Sequence, residues 1–171
     1  MGSMVLAHDA VAAIDGINVG LDRLFAAGVV PIDGKDAIVW LRELEVLRRR
    51  VDAAATGLVG AIDRDGLYVD DGHASATVMA KHHAKLSGGE AAAREKTARA
   101  CRDLPKLADA WAHGEIGTDQ MHLLGRVHAN ERVAPAMEAR QDEFLADAET
   151  MSAKQFESKT RQWERLIDED G

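Results

Sequence analysis

From Asp33 to Asp63 the chain runs without a proline, and Ala37, Trp40, Leu44, Leu47, Val51, Ala54, Leu58 and Ala61 recur at alternating intervals of three and four. That spacing is a heptad seam, the pattern of one long helix that must lay an apolar stripe against a partner. Leu41 and Ile62 widen the stripe, and Asp33 is placed to accept hydrogen bonds from the first amides as an N-cap. At 1.5 Å per residue the helix is a rod of roughly 45 Å. A rod of that length is either the spine of a bundle or half of a dimer. Trp40, Leu44, Leu47, Val51 and Leu58 are therefore the candidate dimer or docking seam, with packing inside the same chain as the alternative.

The rest of the chain reads as helix as well. Apolar residues make up 46% of it and aromatics only 4%, with three prolines. Such a composition suits packed helices, because Ala and Leu lose little on entering a helix and Pro breaks one. No stretch alternates with the period of two that a half-buried strand needs. The expectation is an all-α, multi-helix bundle of about seven or eight helices. At 171 residues the chain is long enough to bury a proper core. Residues 1–3 read as an expression scar and residues 4–171 as a single helical domain.

Caps and breakers set the expected boundaries. A first helix covers about Val5 to Ala27, with a kink or break at Gly16 or Gly20, and Gly28 and Pro31 end it. Ser75 or His73 opens a short helix through Ala84. Ser87 and Glu90 have capping-box spacing, Leu104-Pro105 starts another helix, and Gly114 closes it. Further helices start near Thr118 and Pro135, and Ser152 with Gln155 repeats the box ahead of the last one.

The single cysteine, Cys101, excludes an internal disulfide and fits a cytoplasmic protein. It reads as a small buried side chain. No apolar stretch approaches the roughly 20 residues that span a bilayer, so no membrane partner is expected. The net charge of −8 argues against a generic nucleic-acid coat, since an acidic surface repels phosphate. The charge is uneven, however. Between Lys81 and Lys106 cations outnumber anions, and from Glu131 onward the balance reverses. Arg94, Lys96, Arg99, Arg102 and Lys106 are the candidate nucleic-acid contacts, with a solvated helix face as the alternative.

Leu107 to Ala129 has the form of a helix-turn-helix, whose second helix offers Thr118, Asp119, Gln120, His122 and Arg126. Gln120 and Arg126 join the candidate DNA contacts, because Gln can read adenine and Arg guanine. Two helices joined by a glycine-containing turn are common in any bundle, so this reading competes with an ordinary hairpin. Asp70, Asp71 and His73 invite a metal hypothesis, as do His82, His83 and His122. The first three read more simply as a polar loop before a cap. His82 and His83 point about 100° apart on a helix and do not easily share one ion. Metal ligands, cofactors and catalytic residues are therefore expected to be none. No phosphate loop, zinc-protease pattern or nucleophile elbow occurs.

A series of signals spans nearly the whole chain. Ala74-Ser-Ala-Thr-Val-Met-Ala-Lys-His-His83 is followed by Leu86-Ser87-Gly-Gly-Glu-Ala91 and by Ala98-Arg99-Ala-Cys-Arg-Asp-Leu104-Pro105. Then come Trp111-Ala-His-Gly114-Glu-Ile116-Gly-Thr-Asp-Gln120 and Trp163-Glu-Arg-Leu-Ile-Asp168-Glu-Asp-Gly171. This order resembles a domain of unknown function, number 222 of its naming series, found at the front of actinobacterial HNH endonuclease-like proteins (the 13E12 repeat family). The resemblance implies an N-terminal accessory domain whose parent carries a C-terminal ββα-metal nuclease, absent from this chain. It also implies DNA and that nuclease domain as partners, with the fragment itself not an enzyme. This sequence has Gly117 where the family often carries a Ser cap, so Thr118 is expected to cap instead. Positioning a nuclease on DNA is one expectation; a homodimerisation or protein-interaction module without direct DNA contact is the alternative.

Overall fold

The computed structural model describes the backbone of residues 2–170 and the side chains of residues 8–169. Among them are nine helices and no strand: α1 (Gly2–Ala27), α2 (Gly34–Asp65), α3 (Ala76–His83), α4 (Gly88–Asp103), α5 (Pro105–His113), α6 (Thr118–His128), α7 (Ala134–Glu138), α8 (Gln141–Thr150) and α9 (Ala153–Asp170). The all-α expectation holds. The extra helix arises because Arg140, with φ −119° and ψ 25°, interrupts the segment behind Pro135 and splits it into α7 and α8. No described helix is long and apolar enough to cross a membrane. Met1 and Gly171 lie outside the described residues.

The chain forms two compact units, Met1–Arg42 and Glu43–Gly171. In the first, α1 runs unbroken through Gly16 and Gly20. Each glycine costs about 1 kcal/mol relative to Ala but remains helix-compatible, so the helix does not break there. Gly28 ends the helix with φ +75°, a left-handed conformation that glycine adopts without a steric penalty. Asp33 Oδ1 accepts from the amides of Lys35 (2.7 Å) and Asp36 (3.0 Å), which makes it the expected cap of α2.

In the second unit α6 is central. Met121, Leu124 and Val127 are fully buried beside Leu104, Leu107, Trp111, Met137 and Phe156. A Cβ on Gly125 would stand 2.8 Å from the Cα of Thr97, so α4 and α6 cross in near backbone contact. The chain uses α2 in the same way: a Cβ on Gly60 would meet that of Ala98 at 3.1 Å.

Within the unit, the fully buried positions of α2 lie off the heptad seam. The residues α2 buries are Thr56 and Val59, with Ala53 and Gly60 half-buried, while Val51 is 42% and Leu58 61% exposed. Leu44 and Leu47 are half-buried, as is Trp40 in the first unit. Small residues admit close helix approach, and that contact outcompetes the leucine stripe on another side of the helix.

Caps follow the sequence closely. Ser75 and Ser87 accept from Val78 and Glu90 amides, and Ser152 and Gln155 bond each other's amides reciprocally. Glu90 is an exception: its carboxylate takes Arg94 (3.0 Å), leaving the Ser87 box with the serine half alone among the described bonds. At α6 the N-cap is Gly117, whose amide donates to Gln120 Oε1 at 2.6 Å. Glycine has no side chain to return the bond. Thr118 does not cap either, because its hydroxyl is engaged elsewhere.

Candidate functional site

The expected cationic face of α4 and the start of α5 is partly neutralised. Arg94, half-buried, contacts Glu90 at 3.0 Å and Asp52 at 3.9 Å. Arg99 pairs with Glu95 and reaches Asp63 at 3.5 Å. Lys106 Nζ donates to both carboxylate oxygens of Asp142, at 2.6 and 2.7 Å. These carboxylates come from α2, α4 and α8, and each lies where it offsets a cation that phosphate would need. Arg102 is exposed and forms no ion pair among the described residues.

Three other cations gather elsewhere. A cleft of about 570 Å³ lies between α4, α6 and α9, and Lys96, Arg126 and Lys154 line it, one from each helix. All three are exposed, and none forms an ion pair among the described residues. The floor is open because α4 presents Gly89, Ala92 and Ala93 there. Asp119 and Glu157 are the acids of the lining, and Glu157 is already bound to Arg161 at 2.7 Å. Half-buried His122 completes the polar wall. The cleft therefore holds an excess of uncompensated positive charge on an acidic protein, a setting that concentrates anions.

Apart from Arg102, the sequence-derived cations divide between two fates. Lys96 and Arg126 meet at the cleft, while Arg94, Arg99 and Lys106 are consumed by acids. Gln120 also lines the cleft but is buried, with Nε2 donating to Ala148 O at 2.8 Å and Oε1 accepting from Gly117. Its amide is committed to the fold and has no free edge with which to read a base. Thr118 is buried as well, so the helix-turn-helix reading loses Gln120 as a base reader and one further side chain of its second helix. Lys154 was missed by sequence reasoning, because it sits in the acidic C-terminal third. Its signal was position: two residues after the Ser152 cap, it falls in the first turn of α9.

A polar network ties α2 to α5 and α6. Trp111 Nε1 donates to Thr118 Oγ1 at 3.3 Å, and Thr118 donates to Asp52 Oδ2 at 2.9 Å. Asp52 also receives Arg48 at 3.4 Å. The Arg48 guanidinium is held above its ordinary pKa, first by its hydrogen bond to Glu45 and then by nearby acids. Arg49 donates to Gly114 O at 3.0 Å, capping the end of α5. Of the Arg48–Arg50 run, then, two members are structural. Cys101 is half-buried at the edge of the core, not fully buried, and burial pushes its thiol up to about 11, away from reactivity.

Asp71, His73, His82 and His83 come together despite the divergence of neighbouring helix positions. His73 Nε2 lies 3.0 Å from His82 Nδ1, and His83 Nε2 lies 2.6 Å from Asp71 Oδ2. The loop before α3 folds His73 back onto the end of that helix, an encounter that spacing along one helix cannot reveal.

No curated protein and no solved structure matches the chain. A family model described as a domain of unknown function matches residues 39–171, from the second turn of α2 through the caps, crossings and cleft described above. The chain belongs to that family, the domain of unknown function DUF222.

Proposed function

We propose that this domain positions a nuclease on DNA, with the cleft between α4, α6 and α9 taking the phosphate backbone. The observation that carries the reading is the convergence of Lys96, Arg126 and Lys154, from three helices, on one cleft where they outnumber Asp119 and Glu157 and form no ion pair among the described residues. The nuclease itself comes from the resemblance to the front domain of HNH endonuclease-like proteins. Phosphate contacts orient a protein on a duplex without reading sequence, which is what an accessory domain needs. A net charge of −8 keeps such binding weak, so the nuclease supplies the remaining affinity.

The test is fluorescence anisotropy of a labelled duplex at low and at physiological salt. Three neutralised phosphates give a log–log salt slope of about −3. The K96A/R126A/K154A variant loses binding, while R99A/K106A, which removes acid-paired cations, retains it. Absence of binding at low salt, or loss only in R99A/K106A, overturns the proposal.

A second reading rests on a different observation. Val51 and Leu58 of α2 are exposed, so the seam offers an apolar edge for a homodimer. Sedimentation velocity across a concentration series tests it, and a monomer at every concentration rules it out.

A further inference from the structure

The cluster at the C-terminal end of α3 is unrelated to the cationic cleft. One ring nitrogen from each of His73, His82 and His83 lies within 4.8 Å of the other two. Their ring centroids are 4.8 to 5.4 Å apart and mutually tilted, not stacked. Behind them, Asp71 Oδ2 lies 3.0 Å from His73 Nδ1 and 2.6 Å from His83 Nε2. His73 is nearly buried, and its Nδ1 makes no hydrogen bond even at that distance.

We propose that His73, His82 and His83 bind a single divalent transition-metal ion, with Asp71 orienting the His83 imidazole.

Four properties of the cluster support this assignment. Neutral imidazole is a borderline donor that selects Zn²⁺, Co²⁺, Ni²⁺ or Cu²⁺ over Mg²⁺ and Ca²⁺. Two nitrogens each about 2.1 Å from a tetrahedral ion lie roughly 3.4 Å apart, within the separations present here. Asp71 bonds Nε2 of His83 and so leaves Nδ1 of that ring for the ion, while His73 Nε2 already faces His82 Nδ1 at 3.0 Å. A carboxylate set behind a histidine in this way fixes its tautomer and ring orientation. Finally, His82 and His83 occupy the last turn of α3, where the carbonyl end of the helix favours positive charge.

His82 and His83 are exposed, so an ion can enter from solvent. Once bound, it clips the loop carrying Asp71 and His73 to the end of α3. The other imidazole–carboxylate group differs in kind. His128 lies between Glu138 at 3.2 Å and Asp103 at 3.8 Å, and a single imidazole between two acids is an ordinary charge-assisted pair.

The experiment is calorimetric titration of the tag-free chain with Zn²⁺ in a non-chelating buffer, with thermal unfolding measured in parallel. One ion per chain and a rise in melting temperature are expected, and Mg²⁺ should give neither. The H82Q/H83Q variant alters two exposed side chains and keeps its helical circular dichroism, yet it should lose the titration. D71N should weaken binding by about 10- to 100-fold, and H128Q should leave it unchanged. Absence of Zn²⁺ binding overturns the site, as does binding retained by H82Q/H83Q or removed by H128Q.

Discussion

Thr118 Oγ1 donates to Asp52 Oδ2 at 2.9 Å, joining the first turn of α6 to the middle of α2. The bond closes a chain that begins at the buried Trp111 indole and ends at Arg48. Asp52→Ala removes the acceptor from a buried hydroxyl and two guanidinium groups at once. Leaving a buried donor unsatisfied costs about 1–3 kcal/mol. Urea unfolding should show a lowered midpoint with an unchanged slope, and Asp52→Asn, which keeps one acceptor oxygen, should lose less.

Glycine substitutions separate packing from propensity. Gly125→Ala drives a methyl to within 2.8 Å of the Thr97 backbone, so α4 and α6 must part. Overpacking of this kind costs about 1–3 kcal/mol. Gly57→Ala meets nothing within 4 Å at an exposed position of α2, and it should stabilise by up to about 1 kcal/mol. Thermal melts of the two single variants should therefore move in opposite directions.

Local signals carried most of the fold. Asp33, Ser75, Ser87, Ser152 and Gly114 end or begin helices where their chemistry requires, because a cap is a contact within one turn. The side on which α2 packs was not legible. Leucine spacing marks an apolar stripe, but Gly60 and Ala53 set how closely a neighbour approaches, and only the neighbour reveals their use. The candidate site was half legible for the same reason. Lys96 and Arg126 could be named from charge, whereas the acids that consume Arg94, Arg99 and Lys106 include residues of α2 and α8, distant in sequence. The histidine cluster depends on a loop turning back, and helical geometry alone argued against it.

Cys101 tests burial through pH. Its thiol titrates near 11 in the fold against an ordinary value of 9.0. Alkylation by iodoacetamide at pH 8 should be slow for the native chain and fast in urea, because the thiolate is the nucleophile. The sign for stability follows from the raised value. The folded state holds the proton more tightly, so this contribution is complete below pH 9.0 and is lost as pH rises toward 11. Equal alkylation rates with and without urea would show the sulfur to be open to solvent.

Adjacent residues on α2 give the most direct check of the helix's orientation. Leu58 belongs to the heptad seam and is 61% exposed, whereas its neighbour Val59 lies off the seam and is 6% exposed. If the seam were the internal packing face, Leu58→Asp would be the damaging change. The structure requires the reverse. Val59→Asp places a carboxylate in a closed apolar site, a desolvation cost of several kcal/mol that should abolish cooperative unfolding. Leu58→Asp should alter the monomer's stability by no more than about 0.5 kcal/mol, as surface substitutions do. If α2 pairs with a second copy, Leu58→Asp should instead lower the sedimenting mass while leaving the helical signal intact. The two readouts thus separate what α2 does for its own chain from what its exposed edge does for another.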